Sequence, residues 1–116
     1  MKSMLLELSN SFVVVEGIHD VSALRKLGIH AYTYEKVMRT SSGLPERALI
    51  LTDNDRRGME KAERLNGYLG EMGVSVDSTT GTRLLKMLNS THVEDILKPV
   101  AQALEMEQNE SKTRNW

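Results

Sequence analysis

The chain has no cysteine, so disulfides and thiolate metal sites are excluded. It is poor in aromatics, with one Phe, one Trp and three Tyr, so its core must be built from Leu, Val, Ile, Met and Ala. It has no uninterrupted apolar run of the ~18 residues that a membrane-spanning helix needs. The opening MKSMLLELSN carries one lysine and a short apolar patch broken by Glu7, without the apolar stretch and cleavage site of a signal peptide. It also lacks a net charge of either sign: 15 Lys and Arg stand against 16 Asp and Glu. That balance excludes a protein that grips nucleic acid by bulk charge. It leaves room for a local basic patch or for the charge of a bound divalent metal. The expectation is an intracellular, cytoplasmic protein of 116 residues, the size of one compact domain, with no membrane partner.

What is present alternates between strand and helix signals. Ser11 to Val15 is a β-branched run suited to a strand buried on both faces. Val21, Leu24 and Leu27 then recur at helical spacing before Gly28. His30 to Tyr34 is a weaker strand, followed by a short helical turn and a loop with Gly43 and Pro45. Arg47 to Thr52 is the third strand. Met59, Ala62, Leu65, Leu69 and Met72 mark a helix from about Arg56 to Met72, stopped by Gly73, and residues 74–77 form a fourth strand. A short helix over Leu84 to Leu88 follows. Thr91-His92-Val93-Glu94 has the spacing of a capping box ahead of an amphipathic stripe from Val93 to Leu104. Pro99 should kink or divide that helix. The expected architecture is a three-layer, Rossmann-like α/β sandwich: about four mainly parallel strands with helices on both faces. One domain is expected over residues 1–105, its core about 10–90, with residues 106–116 a polar, flexible tail.

Ligands of such sheets bind beyond the carboxyl ends of the strands. Two strands here end in acid: the first at Glu16 and the third at Asp53, with Asp55 two residues on. Oxygen donors of this kind suit Mg²⁺, with Mn²⁺ as a substitute, as one ion or two. Gly17 and Gly58 fit a close approach of backbone or phosphate, and Arg56-Arg57-Gly58 opens a helix whose N-terminus favours an anion. Simpler roles stand beside these. Asp55 suits a helix N-cap and Asp20 a first-turn acid. His19, His30 and His92 lack metal-ligand spacing and read as surface or turn residues. Arg25, Lys26, Arg56, Arg57, Lys61 and Arg64 read as a solvated helix face or a basic rim.

Val13-Val14-Val15-Glu16-Gly17 with Asp20, followed by Leu51-Thr52-Asp53-Asn54-Asp55-Arg56-Arg57-Gly58, resembles the two signature motifs of the Toprim domain. That domain is shared by topoisomerases, bacterial-type primases, OLD-family nucleases, recombination-repair proteins and the maturation nuclease for the small ribosomal RNA. The resemblance covers roughly residues 10–90 and is nearest to small stand-alone Toprim proteins. It implies a glutamate, Glu16, acting as general acid/base or metal ligand, and Mg²⁺ held by Asp53 and Asp55. It implies phosphoryl transfer on nucleic acid, with RNA favoured over DNA, as a small nuclease or primase-like protein. Gly17, His19, Asp20, Arg56, Arg57 and Gly58 are the candidate contacts to phosphate. Tyr32, Tyr34 and Tyr68 have no motif marking a nucleophile, which argues against a topoisomerase. The alternative is a binding module without turnover that holds nucleic acid or a protein partner, another copy of the chain included, through a metal-bridged phosphate. A haloacid dehalogenase-type phosphatase also uses Asp-x-Asp at a strand end, but leaves Glu16 without a role.

Overall fold

A computed structural model describes residues 1–114. The elements run in order α1 (Lys2–Ser9), β1 (Val13–Val15), α2 (Ile18–Arg25), β2 (Ala31–Thr33), α3 (Tyr34–Met38), β3 (Arg47–Ile50), α4 (Arg56–Glu71), β4 (Ser75–Asp77), α5 (Thr80–Met87) and α6 (Leu97–Arg114). A single 3-10 turn at Val93–Asp95 precedes α6. The four strands form one sheet in the order β2-β1-β3-β4, and every pairing is parallel. Val13 lies opposite both Ala31 and Leu49, and Leu49 lies opposite Asp77.

The alternation of side chains along the central strands divides the core in two. Val13 and Val15 of β1, with Leu49 and Leu51 at β3, face Leu8 of α1, Leu24 of α2, Leu84 and Leu85 of α5, and Val93, Ile96 and Val100. Val14, Ala48 and Ile50 face the other way, onto Val37 of α3 and Leu65 and Leu69 of α4. The expected three layers are present, because central strands with apolar groups on both faces must be covered on both. The crossover from β1 through α2 runs to one side of the sheet, and that from β3 through α4 to the other. Parallel crossovers of one hand moving in opposite directions leave their helices on opposite faces. The chain therefore diverges between β1 and β3, and the carboxyl ends of these two neighbours open onto one crevice.

Several local expectations are corrected. The opening apolar patch forms α1, with Leu8 fully buried. Thr91 and Glu94 form no capping box: the residue preceding the 3-10 turn is His92, and its side chain makes no cap bond. Pro99 divides rather than kinks, because α6 starts only two residues before it. There it occupies the first turn, where a missing N–H costs no helical bond. The polar segment expected as a tail continues α6 to Arg114, and Glu107 on it pairs with the Met1 ammonium. Residues 115 and 116 of that segment lie outside the described residues. Gly28 and Gly73 end α2 and α4 as expected, at φ +77° and +81°, the left-handed region that side chains disfavour.

Asp77 ends β4 and starts α5. Its Oδ1 accepts the N–H groups of Thr79 and Thr80, both at 3.0 Å, and its Oδ2 accepts the Thr80 hydroxyl at 2.5 Å. Burial by itself would raise this carboxyl, but the bonds from Thr80 and Thr79 outweigh it and hold the group below its ordinary value. A depressed carboxyl contributes stability above its unfolded pKa and loses it as pH falls through the folded one. Asp77→Ala is expected to cost about 1 kcal/mol, the usual value of such a cap, near neutral pH. The difference in unfolding free energy from the unmodified chain should shrink as urea melts are repeated at progressively more acid pH. An undiminished difference would remove the carboxylate's charge from the explanation.

Candidate metal centre at the strand switch point

β1 ends at Val15 and hands on directly to Glu16. β3 ends at Ile50, with Leu51 still bonded to the sheet through its N–H on the Val14 carbonyl at 2.8 Å. Two residues later Asp53 reaches the same rim. The Asp53 N–H donates to Glu16 Oε2 at 2.7 Å, joining groups 37 positions apart. The other Glu16 oxygen, Oε1, lies 3.8 Å from Lys61 Nζ of α4. Burial raises the Glu16 carboxyl above its ordinary pKa; the Asp53 N–H opposes this, and the neighbouring Asp53 charge adds to it.

The two aspartates share one design. Asp53 Oδ1 accepts the Val93 N–H at 2.8 Å, and its Oδ2 lies 3.2 Å from His92 Nδ1. Asp55 Oδ1 accepts the Gly58 N–H at 2.8 Å as the N-cap of α4, and its Oδ2 lies 3.8 Å from the same imidazole nitrogen. Each carboxylate is thus pinned by one oxygen to a backbone N–H and presents the other to a common point. Ligand atoms of Asp53, Asp55 and His92 all lie within 4.8 Å of one another. The hydrogen bond with Asp53, assisted by the charges of Asp53 and Asp55, raises the His92 pKa above its ordinary value. The two carboxylates make the site one that attracts positive charge.

His92 is the residue that sequence reasoning missed. It is exposed and in a turn, as expected, but the fold brings it to the aspartates from 39 positions away. No local spacing could have revealed it. The 91–93 segment is fastened to the acidic loop by backbone: the Asn54 N–H donates to the Thr91 carbonyl at 2.7 Å, and the Val93 N–H to Asp53.

The remaining candidates separate into internal and outward residues. Glu16 adjoins the Asp53–Asp55–His92 group without belonging to it. Asp20 is only 7 % exposed and its Oδ2 accepts the Gly17 N–H at 3.1 Å, so it organises the start of α2 instead of facing a ligand. Gly58 is also buried; a Cβ there would stand 2.0 Å from the Asp53 carbonyl oxygen. Its glycine serves the close approach of two backbones, not of a phosphate. Gly17 has open space around it. His19, Arg56 and Arg57 are exposed, and Arg56 lies 3.4 Å from Glu60 one turn along α4.

Fold and site together define a class: a parallel α/β protein with two aspartates, a glutamate and an imidazole gathered where the strand order diverges. Within that class the chain belongs to the UPF0292 family. It is 40 % identical over 93 residues to a UPF0292 protein of Pyrococcus horikoshii, a match covering 72 % of this chain and 67 % of that relative. It is 37 % identical over 95 residues to one of Thermococcus kodakarensis, covering 72 % and 69 %. A solved structure of a protein from Aquifex aeolicus shares the fold with a TM-score of 0.70 and 26 % identity, over 83 % of this chain and 97 % of that one. No family model matches the chain. Among the described residues, no helix is long and apolar enough to cross a membrane.

Proposed function

We propose that this chain is a Toprim-like, metal-dependent phosphoryl-transfer protein of the cytoplasm, acting on nucleic acid and on RNA before DNA. The observation that carries the proposal is the shared design of Asp53 and Asp55. Each spends one oxygen on a backbone N–H and leaves the other beside the same point. Carboxylates 3–4 Å from a common nitrogen donor suit a divalent cation, which fits Mg²⁺ or Mn²⁺ as the sequence motifs imply. Such an ion, when bound, would neutralise charge on the oxygens of a transferring phosphoryl group.

The chain's own residues supply the rest. Glu16 is held by Oε2 on the Asp53 N–H, which leaves Oε1 to give or take a proton. Its raised pKa suits that exchange nearer neutrality than an ordinary glutamate. Lys61 beside Oε1 and the outward Arg56 and Arg57 at the start of α4 offer positive charge to a polynucleotide backbone. The near-zero net charge supports a second reading, a metal-phosphate binding module that works within a larger complex or as a homo-oligomer.

A cleavage panel tests the first reading against the second. Single-stranded RNA, structured ribosomal RNA precursors, single-stranded DNA and supercoiled plasmid are incubated with protein in Mg²⁺, Mn²⁺ or EDTA. The expected result is metal-dependent cleavage of RNA that is lost in Glu16→Gln. That variant keeps an oxygen for the Asp53 N–H, so its melting curve should stay close to the unmodified chain. Metal-dependent binding of the same polynucleotides without cleavage in any arm would replace the enzyme with the binding module.

A further inference from the structure

We propose that His92 is a direct ligand of the metal and that its imidazole makes the site favour Mn²⁺ over Mg²⁺. This rests on the reading of Asp53 and Asp55 as metal ligands and extends it to the identity of the ion.

The first support is placement. His92 is the one residue between two anchors on the acidic loop: the Thr91 carbonyl takes the Asn54 N–H, and the Val93 N–H goes to Asp53 Oδ1. With both neighbours fastened, the imidazole is held over Asp53 and Asp55 before any ion arrives. Pre-positioning of this kind lowers the ordering cost of ligation. Nδ1 is the nitrogen that faces both carboxylates: without an ion it donates its hydrogen to Asp53 Oδ2, and a cation held between them would displace that proton and take the Nδ1 lone pair, with the ring hydrogen kept on Nε2.

Geometry is the second support. Adjacent ligands of an octahedral ion with bonds of ~2.1 Å stand ~3.0 Å apart. The separations of 3.2 and 3.8 Å from Nδ1 are within an ångström of that spacing, and the ligand atoms of all three residues lie within 4.8 Å of one another. The remaining positions of such an ion would be left for water and phosphate oxygens.

Donor chemistry then selects the ion. Mg²⁺ takes oxygen ligands and gains little from a nitrogen, whereas first-row transition ions accept imidazole readily. Of the two ions that the sequence motifs imply, two carboxylates with one imidazole favour Mn²⁺, the transition ion, which keeps the octahedral, oxygen-rich coordination of Mg²⁺.

The test uses Mn²⁺ itself as the probe, on the full chain, without any activity assay. Free Mn²⁺ is counted by its electron paramagnetic resonance signal during titration, with and without competing Mg²⁺. Pulsed measurements on bound Mn²⁺ then look for coupling to a directly bonded nitrogen. The expected result is one nitrogen coupling, Mn²⁺ affinity at least tenfold above that of Mg²⁺, and loss of the coupling in His92→Asn. That variant should bind Mn²⁺ on the order of ten- to a hundredfold more weakly, at least what loss of an outer-shell partner costs, and Mg²⁺ with little change. Mn²⁺ bound through Asp53 without nitrogen coupling, or a coupling that survives His92→Asn, overturns the role of His92 while the aspartate site stands. Equal affinities for the two ions overturn the preference. Failure of both ions to bind in a manner sensitive to Asp53→Asn removes the metal site itself, and this inference with it.

Discussion

Gly58→Ala should melt well below the unmodified chain and bind metal poorly, although it adds only a methyl group. The added carbon would stand 2.0 Å from the Asp53 carbonyl oxygen, 2.8 Å from its carbon and 2.9 Å from its nitrogen. All three are backbone atoms, so no side-chain rotation relieves the overlap. The start of α4 must move away from the acidic loop. The Gly58 N–H then leaves Asp55 Oδ1, and Asp53 shifts with its own backbone. Overpacking of this kind costs about 2–3 kcal/mol, or a melting temperature lower by roughly 8–15 °C for a chain of this size. Gly67→Ala in the same helix is the control, because its Cβ meets nothing within 4 Å. There the better helix former should stabilise by about 0.5–1 kcal/mol. Thermal melts of the two variants and Mn²⁺ titration check this. Equal behaviour would mean that α4 does not depend on the contact at Gly58.

Asp53→Asn should do the reverse: keep the fold and lose the function. The amide oxygen still accepts the Val93 N–H, so the clamp on the 91–93 segment survives. The charge is gone, however, and with it repulsion from Asp55 and Glu16. In EDTA the variant should melt at or above the temperature of the unmodified chain, as when a strained functional group is relieved. Metal affinity should fall by about a hundredfold or more, and metal-dependent cleavage with it, since loss of a ligand outweighs the 10- to 100-fold effect of outer-shell changes. Removing the Asp53 charge also takes away one cause of the raised Glu16 pKa, so that carboxyl should titrate lower. Asp53→Ala separates tether from charge. It leaves the buried Val93 N–H unpaired, and urea melts should show a further loss of about 1–3 kcal/mol relative to Asp53→Asn. If the two variants have the same stability, the Asp53–Val93 bond is not holding the turn.

Much of the fold was legible because it depends on local pattern. Val13-Val14-Val15 and Ala48-Leu49-Ile50 are apolar on both faces, and only a sheet covered twice can bury them. Met59 to Leu69 repeats at helical spacing, and Gly73 stops that helix through its positive φ. Asp55 as an N-cap was equally readable, since its bond spans three residues. The pairing of Glu16 with Asp53 needed one further step: parallel neighbours ending on the same rim. The errors came where local patterns admit two partners. Thr91 and Glu94 have capping-box spacing, yet the Val93 N–H found Asp53. Asp20, by contrast, is the first-turn acid that its position suggested, bonded to the Gly17 N–H at the start of α2. The opening segment has a weak apolar stripe that becomes a helix because Leu8, with Met4 and Leu5, packs against the sheet-side core.

The sequence by itself determined the alternating α/β order, the faces of the central strands and the acids that close β1 and β3, because each follows from spacing within a dozen residues. Only the tertiary structure decided that His92 stands over Asp53 and Asp55, that Glu16 stands beside their cluster and not within it, and that Gly58 must lack a side chain. The demand at Gly58 is set by the Asp53 backbone a few positions away, folded back against the start of α4; the other two facts depend on which backbone N–H each carboxylate oxygen captures. That choice is made between segments nearly forty residues apart, when the sheet brings their ends together.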